Sequence, residues 1–155
     1  SPNVATYDLK PEMSCREVAE EVIRAIKNEE YKLIVVNFAN GDMVGHTAIK
    51  DAIILAMNEL DAALGEVVCE AIGANVATLI TADHGNCDEI NNPKTGNPNT
   101  QHSKNPVPCI IIDNNKKWEI INDNGGLSNV TPTVLTLMNI PKPKEMTSDS
   151  LIKEN

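Results

Sequence analysis

Aromatic side chains make up only 3% of the 155 residues, with a single Trp and a single Phe, so any core must be aliphatic. Basic residues are also scarce: thirteen Lys+Arg face twenty-two Asp+Glu, for a net charge of −9. A nucleic-acid surface needs a basic stripe to displace counterions, and that class is excluded. No apolar run approaches the length of a membrane span, so no membrane partner is expected. The opening residues show no signal-peptide core, since Val4-Ala5 runs at once into Tyr7-Asp8-Leu9-Lys10. The four cysteines (Cys15, Cys69, Cys87, Cys109) form no CxxC pair and read as free thiols of a cytoplasmic protein, with Cys69 and Cys109 as small hydrophobes. What remains, 41% apolar and 23% charged, describes one ordinary globular domain over residues 1–155.

The chain opens with an extended lead-in, residues 1–13. Ser14-Cys15-Arg16-Glu17 has the form of a capping box, followed by Val18, Val22, Ile23 and Ile26 at helical spacing. Glu20 and Arg24 are placed for an i,i+4 pair, and the helix should end near Asn28. Leu33 to Phe38 is a β-branched run with the signature of a buried strand, stopped by an Asn40-Gly41 turn. Apolar residues from Ile49 to Ala71 then predict one long helix over 47–72, closed by Gly73-Ala74-Asn75. Strands are expected at 76–81, 108–112 and 118–121, and a short helix at 130–138. Between the second and third strands lies a long polar loop, 83–107, of a length that compact domains usually reserve for function. Residues 141–155 form a Pro-rich polar tail. The pattern predicts an α/β fold: three layers, a mainly parallel sheet and helices on both faces. Chemistry in such sheets gathers at the carboxyl ends of the strands.

All three histidines of the chain fall in those places. His46 closes Asn40-Gly41-Asp42-Met43-Val44-Gly45-His46, His84 sits in Thr81-Ala82-Asp83-His84-Gly85-Asn86, and His102 lies in the long loop. Singly each is weak. Asp42 reads equally as a helix cap, although Thr47 is better placed, and Asp83-His84 as a turn in which Gly85 supplies a positive φ. Together, three imidazoles and two carboxylates form the donor set of a borderline divalent ion. A magnesium site would rely on carboxylates and water. Five groups exceed what one catalytic ion takes from protein, so two ions fit the count. Two cations would also reverse the local field of an acidic protein toward an anionic substrate, and such a clamp suits phosphoryl transfer.

The segments 39–47 and 79–86 closely resemble the C-terminal part of the cofactor-independent (2,3-bisphosphoglycerate-independent) phosphoglycerate mutases of the alkaline phosphatase superfamily. The likeness extends to Ala5-Thr6-Tyr7-Asp8-Leu9-Lys10-Pro11-Glu12-Met13, to His102-Ser103-Lys104-Asn105-Pro106-Val107-Pro108 and to Pro143-Lys144-Glu145-Met146-Thr147, and so covers essentially the whole chain. It implies an alkaline-phosphatase-like fold and a two-metal site, manganese first with magnesium, zinc or cobalt as alternatives. Asp42, His46 and His102 would hold one metal, and Asp83 and His84 the second. The implied activity is an isomerisation in glycolysis and gluconeogenesis, interconverting 3- and 2-phosphoglycerate through a phosphoserine.

The family's nucleophilic Ser lies in a Gly-Asn-Ser-Glu-Val-Gly-His segment, and these 155 residues contain nothing like it. The family also grips phosphoglycerate with several arginines and a lysine of an inserted domain, whereas this chain has only Arg16 and Arg24. The resemblance therefore implies a segment of a longer enzyme, without the first strand of the phosphatase domain and without the transferase domain, and inactive alone. The missing N-terminal part is its expected partner. Another metal-dependent phosphatase or phosphodiesterase of the superfamily, or a non-catalytic metal-binding module, are the competing readings.

Overall fold

The apolar spacing in residues 15–27 produces α1 (Cys15–Lys27), which turns Cys15, Ala19, Val22, Ala25 and Ile26 inward. A computed structural model describes all residues 1–155. Ser14 is the residue before the first turn, as expected, but its side chain makes no capping bond. Arg24 pairs with Glu21 and Glu30, each at 2.8 Å, and not with Glu20, so the expected i,i+4 pair gives way to contacts around the helix end. The short helix α2 spans Asn40–Gly45 and the long helix α3 spans Lys50–Gly73. Asn40-Gly41, expected as a turn, is thus the start of a helix. At the end of α3 Asn75 takes the left-handed conformation (φ 57°) that closes a helix, and the next N–H returns to Ala71 O at 2.8 Å.

Two clusters form the core. Cys15, Ala19, Val22 and Ile26 of α1 pack on Ala63, Val67 and Ala71 of α3. The small alanines let the two helices approach closely, and Arg16, bonded to Glu59 and Glu66, ties their exposed flank. The second cluster joins Met13, Val44, Ala52, Ile53 and Ala56, fixing α2 and the lead-in on the first turns of α3. Residues 1–13 are therefore more than an extended lead-in. They hold a 3-10 turn at Tyr7–Leu9 and bury Met13.

Strand β1 (Thr78–Thr81) pairs antiparallel with β2 (Cys109–Ile112), Thr81 facing Cys109. Strand β3 (Trp118–Ile120) pairs antiparallel with β4 (Ile152–Glu154). Helix α4 covers Val130–Leu137. The α/β class stands, but both ladders within the 155 residues are antiparallel, not parallel. A parallel pair needs a crossover, usually a helix, and the 27 residues between β1 and β2, 82–108, contain no helix. The expected strand at 33–38 belongs to no sheet, and Leu33 and Val35 are exposed. Its β-branched composition encodes a preference for extended backbone, but no strand lies beside it here. The polar tail likewise hides a strand: Leu151 and Ile152 are buried, and β4 lies along β3. Cys69 and Cys109 are exposed and not in the core, and all four thiols are free. No helix is long and apolar enough to cross a membrane.

Candidate metal centre

Helix α2 places Asp42 in its first turn and His46 immediately after its last residue. The spacing of four puts both on one face. The helix is locked from below by fully buried Val44, and at its start by Asn40, whose Nδ2 donates to Pro11 O and Glu12 O at 2.9 Å each. Thr47 caps nothing in α3. Its hydroxyl turns back to Val44 O, and Ile49 precedes the first helical residue.

Residues 82–108 are folded on themselves by side-chain bonds and two isolated bridges. Asn91 faces Pro98, and Asn99 Nδ2 donates to Glu89 O at 3.1 Å. Gly85 faces Ser103 in an antiparallel bridge. The Asp88 carboxylate accepts from Ser103 Oγ at 2.8 Å and from Asn105 Nδ2 at 2.6 Å. Gly85 is needed for space and not for the positive φ expected of it: only Gly96 among the glycines is left-handed, while a Cβ on Gly85 would collide with Ser103 Oγ and Asp88.

These two units meet at one point. His46 Nε2 and His102 Nε2 each lie 3.1 Å from Asp42 Oδ1 and 3.2 Å from one another, nearly an equilateral triangle. His46 Nδ1 is 2.8 Å from Thr100 O. A carbonyl only accepts, so Nδ1 carries the proton and Nε2 offers its lone pair to the triangle. Ligands bound to one ion at about 2.1 Å lie about 3.0–3.4 Å apart for octahedral to tetrahedral angles. The three atoms therefore have the spacing that a common divalent ion requires. His84 stacks on His102, with ring centroids 3.7 Å apart and 14° between planes. Its Nε2 is 3.9 Å from Asp42 Oδ1 and 3.6 Å from Asp83 Oδ2, and its buried Nδ1 has no hydrogen-bond partner. Asp42, His84 and His102 also satisfy the geometry of a three-ligand group. Burial works against the Asp42 carboxylate, yet the hydrogen bond from Asn86 and the three imidazoles hold its pKa below the ordinary value.

The five residues singled out from the sequence lie unequally close to this point. Asp42, His46 and His102 are tight, His84 is adjoining, and Asp83 stays mostly in solvent, 72% of its side chain exposed. Sequence reasoning passed over Asn86, Thr100, Asp88 and Ser103 as supports. Asn86 had a signal, since it ends the same Thr81–Asn86 segment as Asp83 and His84, but an amide carries no ligand chemistry of its own. Thr100 acts through its backbone, which no side-chain pattern reveals.

The family model described as the metalloenzyme superfamily matches residues 1–142. The chain belongs to the metalloenzyme superfamily. It is 48% identical over 155 residues to a 2,3-bisphosphoglycerate-independent phosphoglycerate mutase of Symbiobacterium thermophilum, covering 100% of this chain and 30% of that protein. A mutase of the same name from Clostridium novyi is 48% identical over 153 residues, again with 30% of that protein covered. The chain thus spans about a third of the length of the curated relatives it matches. Among solved structures, Leishmania mexicana phosphoglycerate mutase at low cobalt concentration superposes with a TM-score of 0.90 at 31% identity, over 100% of this chain and 31% of that one. This superposition bears out the alkaline-phosphatase-like α/β expectation, even though the ladders inside the chain are antiparallel.

Proposed function

We propose that the chain is the metal-binding C-terminal segment of a 2,3-bisphosphoglycerate-independent phosphoglycerate mutase. The near-equilateral triangle of Asp42 Oδ1, His46 Nε2 and His102 Nε2 carries this reading, and similarity over the whole chain narrows it to the mutase. Those three residues would hold one divalent ion, and His84 with Asp83 would contribute to a second, manganese being the first choice. Bound there, the ions would supply cationic charge against a phosphoryl group and its attacking and leaving oxygens. The chain's own part is orientation. Thr100 O fixes the tautomer of His46, α2 sets Asp42 and His46 one turn apart, and the Gly85–Ser103 bridge brings His84 and His102 together. The nucleophilic serine and the cationic grip on phosphoglycerate would come from the rest of the enzyme, working in the cytoplasm.

The test is turnover of 3-phosphoglycerate with Mn²⁺ by the 155-residue chain, alone and with the remaining part of the Clostridium novyi relative added in trans. No turnover alone, and turnover on mixing that His102→Ala abolishes, is the expected result. Tight Mn²⁺ binding without any restored turnover would favour the non-catalytic metal-binding module instead.

A further inference from the structure

Asn86 is the one polar side chain that is both nearly buried, at 7% exposure, and bonded directly to the Asp42 carboxylate. Its Nδ2 donates to Asp42 Oδ1 at 2.9 Å and lies 3.4 Å from Asp42 O. Every other group near that oxygen is an imidazole. On its far side Asn86 fills the space over Gly45, where a Cβ would come within 2.7 Å of Asn86 Cγ. The amide is therefore wedged between one end of the 82–108 loop and two successive turns of α2. Shape and chemistry both limit the position. A carboxylate would repel Asp42, and an apolar group of the same size would leave Asp42 Oδ1 free to rotate away from the imidazoles.

We infer that Asn86, with Gly45 as its seat, is a positioning residue that aims Asp42 Oδ1 at the triangle and sets the distance between α2 and the histidine loop. This inference rests on the reading of Asp42, His46 and His102 as metal ligands. It requires Asn86 to act on ion affinity and not only on stability, because partners that orient metal ligands typically change affinity 10–100-fold. It also makes Gly45 and Asn86 a coupled pair. A methyl at position 45 displaces Asn86, so once Asn86 is truncated the methyl should cost nothing more.

Titration calorimetry with Mn²⁺ on the 155-residue chain, alongside melting in EDTA, tests this. Asn86→Ala and Gly45→Ala should each weaken Mn²⁺ binding about 10–100-fold, and the double variant should bind no more weakly than the weaker single one. A variant that melts earlier but keeps the wild-type Kd would overturn the inference, as would additive losses in the double variant. Should Asn86→Ala fail to fold, Asn86→Asp retains the shape and loses the donor; unchanged or tighter Mn²⁺ binding there would equally overturn it. His102→Ala separates the two levels. If it leaves the Kd unchanged, the ligand reading falls and the inference with it. If it abolishes binding while Asn86→Ala does not change the Kd, only the role of Asn86 falls.

Discussion

Gly85 and Ser103 face one another across an antiparallel bridge, with Ser103 N–H donating to Gly85 O at 2.9 Å, and a histidine immediately precedes each of them. Eighteen positions apart in sequence, His84 and His102 are stacked because this bridge aligns their backbones. Ser103, next to His102, spends its hydroxyl on Asp88 and is 8% exposed. Its role is architectural.

Gly85→Ala should therefore damage the site from outside the donor set. The new methyl meets Ser103 Oγ and comes within 2.8 Å of Asp88 Oδ1, and overpacking of this kind costs about 1–3 kcal/mol. Because the bridge must open, Mn²⁺ affinity should fall together with the melting temperature. Gly65→Ala is the control. It lies in the interior of α3, a Cβ there meets nothing within 4 Å, and the gain in helix propensity should raise stability by about 0.5–1 kcal/mol with Mn²⁺ affinity unchanged.

The Asp88 staple gives a pH signature. The hydrogen bond from Asn105 first, then that from Ser103 and nearby backbone N–H groups, hold the Asp88 carboxyl below the ordinary carboxylate value although burial works against it. A group with its folded pKa depressed contributes stability above its unfolded pKa and loses it as pH falls through the folded value. The melting temperature of wild type should exceed that of Asp88→Ala by a constant amount at neutral pH, and the gap should close below about pH 4. Melting curves of both chains from pH 7 to 3 measure it. A gap that widens toward acid would contradict the assignment.

Metal removal should be visible in stability. An ion that binds the folded chain alone stabilises it by about 2.7 kcal/mol at 100 times its Kd, which for a chain of this size is a rise of about 5–10 °C. Mn²⁺ should produce that rise and EDTA should reverse it. His46→Ala and His102→Ala should abolish the effect. His84→Ala should only reduce it, since His84 stands 3.9 Å from Asp42 Oδ1 while the other two stand at 3.1 Å.

The five candidate residues stood out in the sequence because ligand chemistry is written in side-chain type. Helices α1, α3 and α4 were legible for a related reason: the 3.6-residue apolar period is a local property. Pairing is not local. Nothing in Leu33–Phe38 says which strand should lie beside it, and nothing in Ile152–Glu154 advertises β3 as its neighbour across more than thirty residues. Supports such as Thr100 O and Asn86 were hidden because backbone carbonyls and amides gain meaning only from what they face.

The unpaired segment 33–38 leads to the last expectation. Residues 32–38 make no backbone hydrogen bond, and Leu33, Val35 and Val36 are 52%, 85% and 37% exposed. Apolar backbone without hydrogen-bond partners is a template for pairing with another chain. On its other face the segment is anchored, since Ile34 and Phe38 pack against the α1–α3 core. The chain should therefore remain folded while associating through this edge, giving sedimentation coefficients that rise with concentration. Val35→Lys places a charge at the most exposed position and should suppress the association, with stability within about 0.5 kcal/mol of wild type. Phe38→Ala should do the opposite, lowering the melting temperature without curing the association. If Val35→Lys destabilises the chain as Phe38→Ala does, residue 35 is packed and not an open edge. If Val35→Lys leaves association untouched, the contact lies elsewhere on the surface.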